Sequence, residues 1–205
     1  MVREGLPFVL IPLVIAVILL AAGVWSLAIV FAALAAFIAY FFRDPHREIT
    51  TDKNLIVSAA DGRVTRIEKL NAEDANSPVV VSVFLSVFNV HINRSPVAGE
   101  VTDVKYSKGK FVIATRNDAS HINEQNALTI KNEQMTVVCK QIAGVLARRI
   151  VCWKKPGDTV ALGERFGLIR FGSRTDLILP PEVEIAVKLG DRVQGGITII
   201  GRLQH

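Results

Sequence analysis

Charge is absent from Leu6 to Phe42: the stretch holds no Asp, Glu, Lys, Arg or His. A helix on the surface of a soluble domain keeps one polar face, so a stretch that is apolar all round belongs in lipid or in a deep core. Its length excludes the apolar core of a secretory signal, and no small-residue cleavage site with a polar flank follows it. At ~1.5 Å per residue, Leu6–Ala22 and Val24–Phe42 each reach roughly 25–28 Å, close to the ~30 Å hydrocarbon core. Gly23, Trp25 and Ser26 then form an apex, with Trp favoured at the interface. Residues 1–42 are therefore expected to anchor the chain as a helical membrane hairpin. One long tilted helix and a hairpin lying in the interface are the alternatives.

Other chemistry is missing as well. Cys139 and Cys152 are the only cysteines, too few and too poorly spaced for a zinc site, and a disulfide does not suit a cytoplasmic domain. Both are expected to be reduced, buried structural thiols, and no metal is expected. No phosphate-binding loop of the kind that holds pyridoxal phosphate is present, and no heptad run suggests a long coiled-coil adaptor.

Positive charge is present instead, with a formal net charge of +5 over 205 residues. Arg3 precedes the apolar stretch and Arg43 and Arg47 follow it, so both ends of a hairpin face the cytoplasm by the positive-inside rule. A cationic domain tied to a bilayer is drawn to anionic headgroups, although scattered Lys also simply aids solubility. No nucleic-acid partner is expected.

Beyond Pro45 the pattern breaks into short alternating or apolar runs between Gly, Pro, Asn and Asp. Leu55–Ser58, Gly62–Leu70, Val79–Leu85, Glu100–Tyr106, Ala127–Lys131 and Thr136–Ile142 read as strands. Ala143–Trp153 leans towards strand through Ile150 and Val151, and a short helix is expected near Ala119–Gln125. Residues 43–205 thus form a mainly β, barrel-like or sandwich-like domain. Lys155-Pro156-Gly157-Asp158 is echoed by Lys188-Leu189-Gly190-Asp191, each followed by an apolar strand as in barrel-sandwich hybrids. The two copies bracket Gly172-Ser173, which is expected on a constrained turn between neighbouring strands.

A Gly-Ser bond is usually an ordinary turn. Under backbone strain, however, the Ser oxygen can attack the preceding carbonyl and turn the amide into an ester. Elimination then leaves dehydroalanine, which hydrolyses to a pyruvoyl group and ammonia. Gly suits the acyl side because it tolerates unusual backbone angles and a close nucleophile.

Four blocks stand in order: Phe41-Phe42-Arg43-Asp44-Pro45, Ser58-Ala59-Ala60-Asp61-Gly62, Asn89-Val90-His91-Ile92-Asn93-Arg94-Ser95-Pro96 and Phe171-Gly172-Ser173. In order and spacing they resemble the short-form phosphatidylserine decarboxylases, and the similarity spans essentially the whole chain. The resemblance implies a proenzyme that cuts itself into chains 1–172 and 173–205, a heterodimer of its own products. A pyruvoyl group made from Ser173 would then decarboxylate phosphatidylserine to phosphatidylethanolamine through a Schiff base. Neither pyridoxal phosphate nor a metal is implied, and the catalytic domain is expected at the cell membrane, facing the cytoplasm. Relatives that act on archaeal ether lipids leave the lipid class open.

The resemblance also implies that Asp61 orients and charges His91, the base for Ser173. Longer members often carry two His three positions apart in this block; here the second place is Arg94. One His then serves both steps, or His121 takes one of them. Arg94 and Arg148 are candidates to grip the lipid phosphate or the substrate carboxylate through bidentate donors, a chemistry that Arg43 and Arg149 share. The contrasting reading is a non-enzymatic, membrane-anchored barrel-sandwich adaptor or carrier module. A lipoyl-type carrier would show a modifiable Lys at a tight hairpin tip, and none is evident.

Overall fold

The computed structural model describes residues 1–52, 54–114, 118–145, 149–170 and 172–204, in two compact units, Met1–His46 and Arg47–His205. In the first unit, a short 3-10 turn (Arg3–Gly5) leads into α1 (Leu6–Ala21), and α2 (Trp25–Phe41) returns beside it. Gly23 makes the turn at φ +77°. Small residues, Ala16, Ala28 and Ala35, are buried, which lets two apolar helices approach closely. Many large side chains stay outside, Ile11, Val17, Ile18, Trp25 and Ile29 among them, whereas Phe41 at the end of α2 is buried. Arg3–Ala21 is long and apolar enough to cross a membrane, with mean hydropathy 2.5, whereas Trp25–Phe41 is shorter.

The second unit is mainly β. Its elements are β1 (Leu55–Val57), β2 (Gly62–Lys69), β3 (Val79–Leu85), β4 (Ile92–Arg94), β5 (Gly99–Ser107), the one-turn helix α3 (Ala119–Ile122) and β6 (Gln125–Lys131). Then follow β7 (Thr136–Ala143), β8 (Ile150–Cys152), β9 (Thr159–Val160), β10 (Arg165–Ile169), β11 (Ser173–Leu179), β12 (Val183–Ile185), β13 (Arg192–Val193) and β14 (Ile199–Leu203). An antiparallel eight-stranded sheet, order β13-β2-β3-β11-β7-β6-β5-β9, curls into a half-barrel. Two three-stranded sheets, β1-β14-β12 and β4-β10-β8, complete the unit. The core fills from period-2 alternation: Val81, Val83 and Leu85 of β3, Val137 and Cys139 of β7, and Leu177 and Leu179 of β11 are buried together.

The echoed segments form a second level of organisation. In one, the Lys155 N–H donates to the Asp158 carboxylate (2.9 Å); in the other, the Lys188 N–H donates to Asp191 (2.8 Å). Gly157 and Gly190 both sit at φ +91°. The Val101 N–H bonds the Asp158 carbonyl at 2.8 Å, and the Val64 N–H bonds the Asp191 carbonyl at 2.9 Å. Ser95 Oγ donates to the Val97 carbonyl as Ser58 Oγ donates to that of Ala60. Even the register shifts correspond, between Val64 and Arg66 in β2 and between Val101 and Asp103 in β5. Two repeats therefore form the two edges of one sheet, and the first residues of β2 and β5 lie at opposite ends of it.

This differs from the sequence-based expectation in one respect. The repeats do not frame a turn around Gly172-Ser173. They dock as β9 and β13 on the outer edges, while Ser173 opens the central strand β11. Turn chemistry is local and legible; the strand on which each turn docks is set by long-range pairing.

Candidate active site

Ser173 pairs with Leu85 of β3 on one side and Ala143 of β7 on the other. It is fully buried, and its Oγ has no hydrogen-bond partner among the described residues. Leaving a buried hydroxyl unsatisfied costs about 1–3 kcal/mol. Gly172, just before it, holds φ +59° in the left-handed region that favours glycine. The Gly172 carbonyl is packed against Gly144, where a Cβ would collide with its oxygen and meet Ala114 Cβ at 3.4 Å. Nucleophile and carbonyl are thus neighbours, with the carbonyl walled in by Gly144.

The other face of β11 is fully engaged. Arg174 Nε lies 2.8 Å from Asp176 Oδ1, Nη2 donates to Oδ2 at 3.0 Å, and Nη1 donates to the Ala114 carbonyl at 3.0 Å. Both side chains are buried, so the charge of each is compensated by a bidentate pair. On the Ser173 face, Asn93 Nδ2 donates to Thr175 Oγ1 (3.2 Å), Gln141 Nε2 to Asn93 Oδ1 (2.9 Å) and Asn126 Nδ2 to Gln141 Oε1 (3.0 Å). This relay ties β4, β6, β7 and β11 together beside Ser173. The sequence reading missed it, although polar residues at inward strand positions such as Gln141 and Thr175 are a period-2 anomaly that could have flagged it.

His91 is buried, and its Nδ1 lies 3.0 Å from the Asn89 carbonyl oxygen. A carbonyl only accepts, so the proton belongs on Nδ1 and the lone pair on Nε2. His91 also fixes the lateral sheet, because its carbonyl accepts from the Ile169 N–H at 3.3 Å. His121, the alternative base, is exposed on α3.

The structure does not join Asp61 to His91 directly. Asp61 Oδ1 accepts from the Gly195 N–H (2.8 Å) and Oδ2 from Arg47 Nη2 (2.8 Å), while Arg47 Nη1 donates to Gln194 Oε1 (3.0 Å). Arg94 is buried and donates from Nη1 to the Gly163 carbonyl at 3.0 Å, beneath the junction of the two repeats. Arg148, Phe171 and His205 lie outside the described residues.

A cavity of about 580 Å³ opens beside these groups, lined by Asp61, Arg63, Phe84, Ser86, Asn89 and Arg192 among others. Phe84 and Ser86 flank Leu85, the strand partner of Ser173. Arg63 and Arg192 stand directly opposite one another across the β2–β13 ladder. Like charges in that relation destabilise a sheet, and an anion between them reverses the sign. Neither arginine was singled out from the sequence, because no local signal separates them from other scattered basic residues.

Among the described residues no group of three or more His, Cys, Asp or Glu could hold a metal ion. Cys139 is buried and Cys152 half-buried rather than buried; desolvation raises both thiol pKa values, Cys139 far above its ordinary range. Neither suits nucleophilic chemistry.

A family model described as phosphatidylserine decarboxylase matches residues 34–201. A phosphatidylserine decarboxylase proenzyme of Symbiobacterium thermophilum is 48% identical over 204 residues, covering 98% of this chain and 94% of that protein. One of Desulfotalea psychrophila is 40% identical over 204 residues, with coverages of 98% and 95%. One of Carboxydothermus hydrogenoformans is 44% identical over 207 residues, with coverages of 100% and 97%.

Proposed function

The chain belongs to the phosphatidylserine decarboxylase family, and from that premise we propose that it cuts its own Gly172–Ser173 bond and uses the resulting pyruvoyl group to decarboxylate phosphatidylserine. The observation that carries this reading is the buried Ser173 Oγ, without a hydrogen-bond partner among the described residues, beside a left-handed Gly172 whose carbonyl is walled in by Gly144.

In the maturation step, His91 Nε2 takes the Ser173 hydroxyl proton and Oγ attacks the Gly172 carbonyl carbon. The C–N bond breaks as the amine is protonated, leaving an ester between Gly172 and the Ser173 side chain. Loss of the Ser173 Cα proton then expels the Gly172 carboxylate, which ends chain 1–172. The dehydroalanine left at position 173 takes up water and releases ammonia. The resulting keto group supplies an electron sink for the pair of electrons left when CO₂ departs.

Asp61 is the charge partner of His91 in this reading, once Arg47 gives up its carboxylate. Arg63 and Arg192 hold the lipid phosphate in the cavity, a place that suits them better than buried Arg94. Residues 1–42 anchor the chain at the cell membrane, and residues 43–205 act from the cytoplasmic side. The test is intact mass of purified full-length protein together with release of CO₂ from phosphatidylserine. Two chains are expected, the smaller starting at residue 173 with a blocked N-terminus; a free serine there would overturn the pyruvoyl assignment.

A further inference from the structure

The two ends of the eight-stranded sheet expose opposite chemistry, and we infer that the Ser173 end is a docking surface for an anionic bilayer, separate in sequence from the apolar hairpin. The inference deepens the reading of a lipid substrate and rests on it for its purpose, but not for its observations. Antiparallel pairing places the ends of β3, β5 and β7 and the starts of β6 and β11 together. The connections there, 86–91, 108–114 and 144–145, expose Phe88 (64%), Phe111 (38%), Ile113 (58%) and Val145 (53%). At the opposite end, connections 70–78, 132–135 and 180–182 expose only Leu70 among the large hydrophobic residues described.

Charge divides the same way. Lys108 and Lys110 are exposed at the Ser173 end, as is Arg149 near β8, and those three connections contain no Asp or Glu. Asp118 and Glu124, further along the β5–β6 connection, are half-buried. The opposite connections expose Glu73, Asp74, Glu133 and Glu182, which outnumber the exposed Lys69 and Lys131 at the strand ends leading into them. Apolar tips set among basic residues suit an interface carrying anionic headgroups, and the acidic end is repelled by it.

These tips are held in place relative to the reacting bond. Asn123 Nδ2 donates to the carbonyls of Val112 (2.9 Å) and Ala143 (2.7 Å), and its Oδ1 accepts from the Val112 N–H (3.0 Å). Ala143 is the strand partner of Ser173. Ser173 is fully buried, and its strand partners Leu85 and Ala143 lead directly into two of these connections, which border the approach to it. Sinking Phe111 and Ile113 into the interface delivers the headgroup at that entrance.

The test uses full-length protein carrying Ser173→Ala, Trp25→Phe and Trp153→Phe, reconstituted in phosphatidylcholine vesicles with a minority of phosphatidylglycerol and brominated acyl chains. A single tryptophan is introduced by Phe111→Trp, by Ile113→Trp or, at the opposite end, by Leu70→Trp. Quenching several-fold stronger for the first two than for the third is expected, and Lys108→Glu with Lys110→Glu should remove the difference. Equal quenching at both ends would overturn the inference. A blue shift that appears in detergent without lipid and grows with protein concentration would also overturn it, assigning the surface to a second copy of the chain. The readout needs neither maturation nor turnover, so failure of the decarboxylase reading and failure of docking give separate results.

Discussion

The edge strand that begins at Gly62 and the one that begins at Gly99 are built by the same hydrogen bonds, yet they carry different side chains. Where the first repeat has Asp61, the second has Ala98; where the first sets Arg63 opposite Arg192, the second sets Glu100 opposite Thr159. The Ser58 and Ser95 turns close identically, with hydroxyl bonds of 2.7 and 2.6 Å. An Asp before a Gly is usually explained as turn chemistry. Here the molecule contains its own control: the turn forms equally well with Ala98. The turn therefore does not require the Asp61 carboxylate, and in the proposed reading it acts at the Ser173 end together with the facing arginines.

The comparison is tested most severely at Ser173. Ser173→Ala should leave a folded protein that neither cuts nor decarboxylates, because only the attacking oxygen is lost; a denaturing gel and a CO₂ assay decide it. Retained activity would sink the assignment. Next in size is the carboxylate exchange between the repeats. Asp61→Asn should slow cutting by roughly 10²–10⁴-fold, the usual worth of a positioned acid–base system, whereas Ala98→Asp should leave the rate of appearance of chain 173–205 unchanged. Equal rates in wild type and Asp61→Asn would return Asp61 to a turn residue.

Glycine packing offers a matched pair. A Cβ at Gly144 collides with the Gly172 carbonyl, and one at Gly99 collides with the Lys131 carbonyl. Both alanine variants should lower Tm through overpacking of ~1–3 kcal/mol. Only Gly144→Ala should also slow cutting, by about tenfold, since it displaces the reacting carbonyl. Smaller still, Arg63→Gln and Arg192→Gln should each raise KM for phosphatidylserine by about five- to tenfold with kcat nearly unchanged, as expected when a partly exposed charge contact with the ground state is removed. Glu100→Gln is the matching substitution in the other repeat and should do nothing.

The smallest effect distinguishes the repeats by pH. The Ala161 N–H is capped by the Glu164 carboxylate at 2.8 Å, whereas the corresponding Gln194 N–H is capped by Thr198 Oγ1 at 2.9 Å. Burial pushes the Glu164 pKa up, but the Lys154 and Ala161 hydrogen bonds and the Lys154 charge outweigh it and the net shift is downward. The stabilisation is therefore present above the ordinary carboxylate range and is lost as pH falls through the lowered folded value. Glu164 is more than a third exposed, so Glu164→Gln should cost under about 1 kcal/mol at neutral pH. The difference in Tm should vanish in acid, while Thr198→Val should show a pH-independent loss.

Legibility in the sequence followed the range of the interactions. The six strands foreseen are all present, and Gln125–Lys131 begins two residues before the expected Ala127 because its first residues pair with β7 without any alternating signal. The expected helix near Ala119–Gln125 is a single turn, Ala119–Ile122, since Gln125 is taken by β6. The short strands β4, β9, β10 and β12–β14 had no periodicity long enough to read, and the seven-residue β11 was hidden by its buried polar start, Ser173-Arg174-Thr175-Asp176. At the site, Gly172, Ser173 and His91 stood out from local pattern and resemblance. The Arg174–Asp176 pair, the Asn93–Gln141 relay and the Arg63–Arg192 pair did not.

By itself the sequence determined what is encoded within a few residues: an apolar hairpin without charge, repeated Gly-Asp turns and a Gly-Ser bond. Backbone freedom, turn preference and hydrophobic length are all properties of neighbouring residues. Only the tertiary structure decided that Ser173 is buried with its Oγ unpartnered among the described residues, that Asp61 is held by Arg47 and Gly195, and that the two repeats set different side chains at opposite ends of one sheet. Those facts depend on the pairing of strands far apart in the chain, where a register shift of one residue would turn every side chain to the other face.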